Sequence, residues 1–321
     1  MTGPRRISAV VPTLDTRELT TACVDALLAS RLPGGTELEV VVVDDGSRDG
    51  TAEALSGREG VRVLRNEAPT GYSRAVNRGA AVATGDVLVL LNSDTVVATD
   101  GLASVLAAFD AEESLGVAGA ALVYPDGTPQ WSGGREPTIA WFLAQSSGAG
   151  AILGRLPGWR RVKPLHFEEP VEVEWVSGAA VAVRDSVWRD VGPFETSYRF
   201  YGQDLEFCLR ARDLGWRVRL LPGFRVVHHH GATVSSKGEA IVGSADLGLL
   251  WDDLVLWAGR RKGAAFARRA RAAIRAGSGL RLVLRRLALP FVGAARRGDW
   301  RRETDALARA RLGVTRFGVR S

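Results

Sequence analysis

Cysteine is scarce in this 321-residue chain, which holds only Cys23 and Cys208. Both lie in segments with helical spacing and neither shows metal-ligand spacing, so buried reduced thiols are expected. Also missing is any run of the roughly 18 apolar residues that a membrane-spanning helix needs. No signal-peptide pattern precedes the strand-like residues 7–11, so a cytosolic location is expected. No Gly-x-Gly-x-x-Gly follows the first strand and no Gly-x-x-x-x-Gly-Lys occurs anywhere. These two absences disfavour a Rossmann dinucleotide site and a nucleoside triphosphatase. Internal repeats and low-complexity linkers are absent too. At 46% hydrophobic and 24% charged residues, the chain suits one large domain or one domain with an appendage.

Acidic charge is scarce at one end. Residues 260–321 hold 17 Arg and one Lys against Asp299, Glu303 and Asp305, a net of +15; the overall +6 therefore leaves −9 for residues 1–259. An acidic body and a basic tail must face different partners.

What is present reads as alternating strands and helices. Residues 7–13 form a first strand ending in Pro12-Thr13, and Leu19, Cys23, Ala26 and Leu27 recur at helical spacing in residues 16–30. The β-branched run 38–43 stops at Asp44-Asp45-Gly46-Ser47. A helix over 47–55 and a strand over 61–64 follow, then residues 66–79 lead into a small-residue helix ending at Gly85. Residues 86–94 are the fourth strand, five apolar residues running straight into Asn92-Ser93-Asp94. This is the layout of a nucleotide-binding α/β sheet. Further helices are expected over 100–112, 185–191 and 205–214, and strands over 116–123, 172–183, 218–221 and 224–227. Residues 124–170 read as irregular. From about residue 247 the pattern is helical, broken near Gly277 and at Pro290.

Four places can carry chemistry, each with a plain structural alternative. Asn92 and Asp94 at a buried strand end can hold a hydrated divalent cation, or cap the next helix. Asp44 and Asp45 can accept hydrogen bonds from a base imide and a ribose hydroxyl, or make a turn and a cap. In His228-His229-His230, adjacent residues on a strand point to opposite faces, so His228 is the chosen metal ligand, against a satisfied or solvated histidine. Asp204 and Glu206 begin a helix, where a carboxylate can deprotonate a hydroxyl or serve as a cap.

In chain order, Val11-Pro-Thr13, Val43-Asp-Asp-Gly-Ser47, Asn66 with Gly71-Tyr72 and Asn77-Arg-Gly79, Gly85-Asp86, Leu91-Asn-Ser-Asp94, Trp175-Val-Ser-Gly178, Gly192-Pro-Phe194, Gln203-Asp204-Leu-Glu206 and His228 form a series. It resembles the family 2 glycosyltransferases, and within them the bacterial rhamnosyltransferase-like and galactofuranosyltransferase-like branch, over about residues 5–235. The resemblance implies the GT-A fold, a mixed α/β sheet flanked by helices, here with a C-terminal helical basic appendage. It implies a nucleoside-diphospho-sugar donor (dTDP- or UDP-sugar), a divalent cation (Mg2+ or Mn2+) and inversion by one displacement.

Carried over by residue, Thr13, Asp44, Asp45, Asn66, Gly71, Asn77 and Asn92 would bind the nucleotide-sugar, and Asp94 and His228 the metal. Asp204 would be the catalytic base, with Trp175, Ser177, Gly178 and Glu206 on the acceptor side. Asn-Ser-Asp stands where Asp-x-Asp is usual, and Gln203 stands where a Glu usually precedes the base. The missing Gln-x-x-Arg-Trp argues against a processive synthase.

The expected reaction moves a sugar, with rhamnose the first choice, to a hydroxyl of a glycan, glycolipid or lipid-linked acceptor in bacterial cell-envelope polysaccharide synthesis. A small-molecule or protein acceptor is the alternative, and a non-catalytic sugar-nucleotide-binding scaffold is the alternative of another class. Expected domains are 1–240, catalytic, with a nucleotide half (1–100) and an acceptor half (101–240), and 241–321, Arg-rich and helical. The tail, with Phe266, Leu280, Leu282, Leu284, Leu287, Leu289 and Phe291, fits an anionic membrane surface at the inner face of the plasma membrane. Packing on the acidic body is the rival reading, and nucleic-acid binding is least favoured.

Overall fold

The computed structural model describes residues 5–150, 164–199, 201–229 and 247–316. The chain forms two compact units: Met1–Glu136 with Val162–Ser197 and Gln203–Lys237, and Pro137–Arg161 with Tyr198–Gly202 and Gly238–Ser321.

The first unit is built on β1 (Arg5–Thr13), β2 (Thr36–Asp44), β3 (Val61–Arg65), β4 (Val87–Leu91), β5 (Thr95–Val97), β6 (Leu115–Val123), β8 (Val171–Val173), β10 (Ala180–Arg184) and β11 (Arg217–His228). They form one sheet in the order β3-β2-β1-β4-β10-β6-β11-β5, with β8 also on β11. A small second sheet pairs β7 (Gly133–Gly134) with β9 (Trp175–Val176). Around them lie α1 (Arg17–Leu28), α2 (Thr51–Leu55), α3 (Tyr72–Ala80), α4 (Gly101–Ala111), α6 (Asp185–Val191) and α7 (Gln203–Asp213). Alternate strand residues enter separate cores: Ala9, Val11, Val40, Val42, Val89 and Leu91 on one face, Val10, Val41, Val43, Leu88 and Leu90 on the other. A sheet covered on both faces requires such continuous apolar runs.

β1, β2, β3 and β4 are mutually parallel. β10 is antiparallel to β4 and β6, and β11 is parallel to β6. The C-terminal ends of β1, β2, β4 and β11 and the N-terminal end of β10 therefore share one edge of the sheet, where ligands of open α/β sheets bind.

The second unit contains α5 (Ile139–Ser147), α8 (Leu247–Lys262), α9 (Ala264–Ala288), a 3-10 turn (Leu289–Phe291) and α10 (Ala294–Arg316). Its core includes fully buried Trp257 and Ala270. The carboxylate of buried Asp253 accepts from Arg199 N (3.2 Å) and Tyr201 N (2.9 Å).

Several local expectations need correction. The irregular stretch contains α5, started by Thr138, whose hydroxyl accepts from Trp141 N (3.1 Å). Residues 151–163, with Leu156-Pro-Gly-Trp159, lie outside the described residues. The strands expected over 218–221 and 224–227 are one strand, with a register shift between Leu221 and Arg225 that absorbs Pro222-Gly223, as a bulge does. The stretch 172–183 is three strands with different partners. Gly277 does not break its helix. A Cβ there would stand 2.1 Å from Ser146 Oγ and 2.7 Å from the Leu143 carbonyl oxygen, so the glycine is what lets α9 lie so close to α5. Pro290 does end the helix, through the 3-10 turn.

Candidate active site

Asp94 follows β4 and precedes a strand, so the helix-capping reading of Asn92-Ser93-Asp94 does not hold: β5 begins at Thr95. His228, the last residue of β11, pairs across the strands with Thr95. This register brings His228 Nε2 to 3.3 Å from Asp94 Oδ1, both side chains buried. His229 is exposed and its N–H donates to the Asp94 carbonyl (2.9 Å), so the two histidines do face opposite ways. His230 lies outside the described residues.

Gln130, buried, holds the other side of the ring. Its Nε2 donates to the His228 carbonyl (2.5 Å) and lies 3.3 Å from the Val123 carbonyl, and its Oε1 is 2.9 Å from His228 Nδ1. Two carbonyl acceptors at one end of the amide identify that end as NH2. The other end is then an acceptor, which fixes the proton of a neutral His228 ring on Nδ1 and turns the Nε2 lone pair toward Asp94. Two acceptors 3.3 Å apart repel unless a positive centre joins them, and a metal–ligand length of about 2.0–2.2 Å is compatible with this spacing. The pair therefore fits a divalent cation. Among the described residues no cluster of three or more His, Cys, Asp or Glu side chains is placed to hold a metal.

Asp204 lies in the first turn of α7. Its Oδ2 accepts from Gly178 N (2.7 Å) and its Oδ1 from Leu205 N (2.8 Å). The Tyr72 hydroxyl donates to the Gly178 carbonyl (2.8 Å). Burial pushes the Tyr72 phenol up, with the charges of Asp204 and Asp94 adding to it, so its hydroxyl feels both carboxylates. The two cysteines are buried and free. Burial pushes each thiol up to about 12, reinforced by Asp94 at Cys23 and by Asp204 at Cys208, so neither supplies a thiolate at neutral pH.

The ends of β1 and β2 bring together most of the expected nucleotide residues. Thr13 Oγ1 bonds Thr16 Oγ1 (2.9 Å) and Thr20 Oγ1 (2.7 Å), and Thr16 continues to Ser93 (3.0 Å), beside Asp94. Asp44 is fully buried; Oδ1 accepts from Ser47 N (2.8 Å), while Oδ2 has no hydrogen-bond partner and lies 3.7 Å from Arg65 Nε. The Asp45 carboxylate accepts from Asn66 Nδ2 (2.6 Å), Thr70 N (2.9 Å), Thr70 Oγ1 (2.7 Å) and Gly71 N (2.9 Å). It thereby shapes the 66–71 loop. Asn92 is joined to the segment before β10 by its N–H, which donates to the Ala179 carbonyl (2.9 Å).

Other expected residues are committed elsewhere. Both ends of the Asn77 amide bond the Phe194 backbone (2.8 and 2.9 Å), tying α3 to the Gly192-Pro-Phe194 turn. Glu206 pairs with Arg210 one turn along α7 (3.3 Å). Trp175 donates to the Arg135 carbonyl (3.0 Å) and stacks edge-on against Trp131. Ser177 N donates to the Ser132 carbonyl (2.7 Å), so it and Trp175 hold the segment that delivers Gly178. Gln130 and Tyr72 are the site residues that the sequence did not single out by role. For Tyr72 the signal was its place after Gly71 in the motif series; for Gln130 there was none.

A family model described as glycosyl transferase family 2 matches residues 8–162. N-acetylglucosaminyl-diphospho-decaprenol L-rhamnosyltransferase of Mycobacterium tuberculosis is 30% identical over 210 residues, 60% of this chain and 66% of that protein. O-antigen biosynthesis protein RfbC of Myxococcus xanthus is 29% identical over 245 residues, 74% of this chain and 18% of that protein. An uncharacterized Sinorhizobium fredii protein is 28% identical over 239 residues, 73% of this chain and 25% of its own length. The chain thus spans only part of each of these relatives. Among solved structures, a mannosyltransferase from Pyrobaculum calidifontis in complex with GDP-Man and Mn2+ matches at a TM-score of 0.60 and 17% identity, covering 98% of this chain and 88% of that one. Sheet order, motif series and these likenesses agree: the chain belongs to glycosyl transferase family 2 and has the GT-A fold.

Proposed function

We propose that this protein is an inverting, divalent-cation-dependent glycosyltransferase that moves a sugar from a nucleoside-diphospho-sugar to an acceptor hydroxyl. The observation that carries this reading is the placement of two polar pairs in the first unit: Asp94 with His228 at 3.3 Å, and Asp204 on the Gly178 amide at 2.7 Å. Tyr72 lies within electrostatic reach of both carboxylates.

Thr13, Asp44, Asp45, Asn66, Gly71 and Asn92 form the nucleotide end, with Asp45 acting through the loop that its carboxylate holds. Asp94 and His228 would hold Mg2+ or Mn2+, which when bound would supply charge stabilisation for the departing diphosphate. Asp204, oriented by two backbone N–H groups, takes the proton of the acceptor hydroxyl. The acceptor oxygen forms the new bond to the anomeric carbon as the bond to the diphosphate breaks. The nucleoside diphosphate leaves with the electron pair, and the proton ends on Asp204. One displacement inverts the centre and needs no nucleophilic side chain, in keeping with two protonated thiols.

For donor and acceptor, the mycobacterial relative and the motif series favour rhamnose from dTDP-rhamnose and a lipid-linked or glycan hydroxyl in cell-envelope polysaccharide synthesis. A small-molecule or protein acceptor is the alternative. No helix among the described residues is long and apolar enough to cross a membrane; the proposed location is peripheral, on the inner face of the plasma membrane. A panel of nucleoside-diphospho-sugars, with and without chelator, tests the reading through release of nucleoside diphosphate. Release from one donor, lost on chelation and restored by Mn2+ or Mg2+, supports it. Tight donor binding without release in the presence of varied acceptors favours a sugar-nucleotide-binding scaffold instead.

A further inference from the structure

The C-terminal half of α9 carries apolar side chains on the face that it does not pack. Leu280, Val283, Leu284 and Leu287 are all more than half exposed, and Phe291, on the turn that follows, is 90% exposed. At about 100° per residue the four α9 positions fall within roughly 100° of one another around the axis, and Phe291 comes one turn after Leu287. They form a single ridge. The opposite face is already filled, since Ile274, Ser278 and Leu282 are buried. A helix apolar on both faces requires cover on both, and a contiguous exposed patch of this kind marks an interaction surface.

The surroundings of the ridge are cationic. Arg269 and Arg275 are exposed on the turns before it, Arg286 is exposed beside it, and the exposed Arg297 guanidinium lies on the Val292 carbonyl (3.1 Å), one residue past Phe291. The segment 260–321 carries +15.

We infer that this ridge docks onto an anionic lipid bilayer. Its five apolar side chains enter the boundary between headgroups and acyl chains, and the flanking guanidinium groups take lipid phosphates. Charge selects this occupant. A second copy seated on the same ridge would bring two +15 segments together, and like charges facing across an interface oppose it. A nucleic acid would satisfy the arginines and leave five aliphatic and aromatic side chains in water. An anionic bilayer supplies both a phosphate layer and an apolar phase at the depth such a ridge reaches. The inference deepens the proposed peripheral location by naming the surface that makes it, and its test reads vesicle binding alone, so its failure leaves the transferase reading untouched.

The test is co-sedimentation of the full chain with vesicles of phosphatidylglycerol and phosphatidylcholine, against phosphatidylcholine alone. The wild-type chain should bind the anionic vesicles, more weakly as salt rises. Leu284→Asp with Leu287→Asp should weaken that binding by about tenfold or more, and Arg286→Glu with Arg297→Glu should remove the preference for phosphatidylglycerol. Phe291→Ser, at a side chain with almost no packing to lose, should weaken binding severalfold and keeps the test decisive if the double leucine variant folds poorly. Wild-type protein that stays in the supernatant, or ridge variants that sediment like wild type, would overturn the inference. So would a wild-type dimer in solution that the leucine substitutions turn into a monomer without changing vesicle binding.

Discussion

Gln130 Oε1 lies 2.9 Å from His228 Nδ1, and the other end of the same amide donates to the His228 carbonyl at 2.5 Å. This grip leaves Nε2 as the ring atom offered to Asp94. Gln130→Leu removes the acceptor that fixes the tautomer, and should lower Mn2+ affinity about 10- to 100-fold, read by calorimetric titration in the presence of nucleoside diphosphate. Urea midpoints of the same variant separate a folding defect from a site defect. Unchanged Mn2+ affinity in Gln130→Leu would mean that Gln130 only packs; no Mn2+ binding by wild type would remove the cation site itself.

Asp204→Asn keeps an oxygen for the Gly178 amide and removes the base. Turnover should fall by about 10²–10⁴, with donor affinity within about twofold of wild type. The measurement is nucleoside diphosphate release beside equilibrium binding of the donor. Undiminished turnover sinks the assignment, and a matching loss of donor affinity would place Asp204 in binding rather than chemistry.

The parts of the site legible in the sequence were those whose position follows from local pattern. Asp94 ends an apolar run that could only be a buried strand, and Asp204 opens a helix after a Gly-rich approach. His228 closes a strand, and alternation along it separated His228 from His229. What was not legible depends on distant partners. Gln130 meets His228 across 98 residues of sequence, through the pairing of β6 with β11, and it stands in a Gly- and Trp-rich stretch with no periodicity. Asn77 had a motif but its amide answers to Phe194, a contact that no local pattern announces. Pro222-Gly223 read as a turn between strands, and only the neighbouring β6 shows that it is a bulge within one.

Gly277 resembles a helix break in sequence for the same reason: its purpose is Ser146, 2.1 Å from where a Cβ would be. Gly279, also in α9, has as its nearest neighbour the Arg311 guanidinium at 3.4 Å, the far end of a long side chain that donates to the Arg275 carbonyl (3.2 Å). The two glycines should therefore respond oppositely to alanine. Gly279→Ala should stabilise by about 0.5–1 kcal/mol through helix propensity. Gly277→Ala gains the same propensity, but the Leu143 carbonyl and the Ser147 amide cannot move aside as a side chain does. A net loss of about 1–2 kcal/mol is expected. Thermal or urea midpoints of the two variants decide it; a gain at both positions would show that α9 and α5 can separate without cost.

Glu39 provides the pH dependence. Burial acts on it most strongly and would raise its pKa, but hydrogen bonds from Ser8, from Thr84 N (2.7 Å) and from Thr84 Oγ1 (2.8 Å), with the charge of Arg6, outweigh that and hold the carboxyl below its usual range. A carboxylate depressed in the folded state contributes stability that is present above its unfolded pKa and is lost as pH falls through the folded one. Ser8 also accepts from Gly85 N (2.7 Å), so the charge organises the chain just before β4. Glu39→Gln should therefore destabilise the protein near pH 7 by about 1–2 kcal/mol, the scale of a charge-assisted hydrogen bond at a partly buried position. The gap between the variant and wild type should close as pH falls below about 4. Urea midpoints across that range give the answer, and a gap that stays constant down to acid pH would mean that the amide fails by shape rather than by charge.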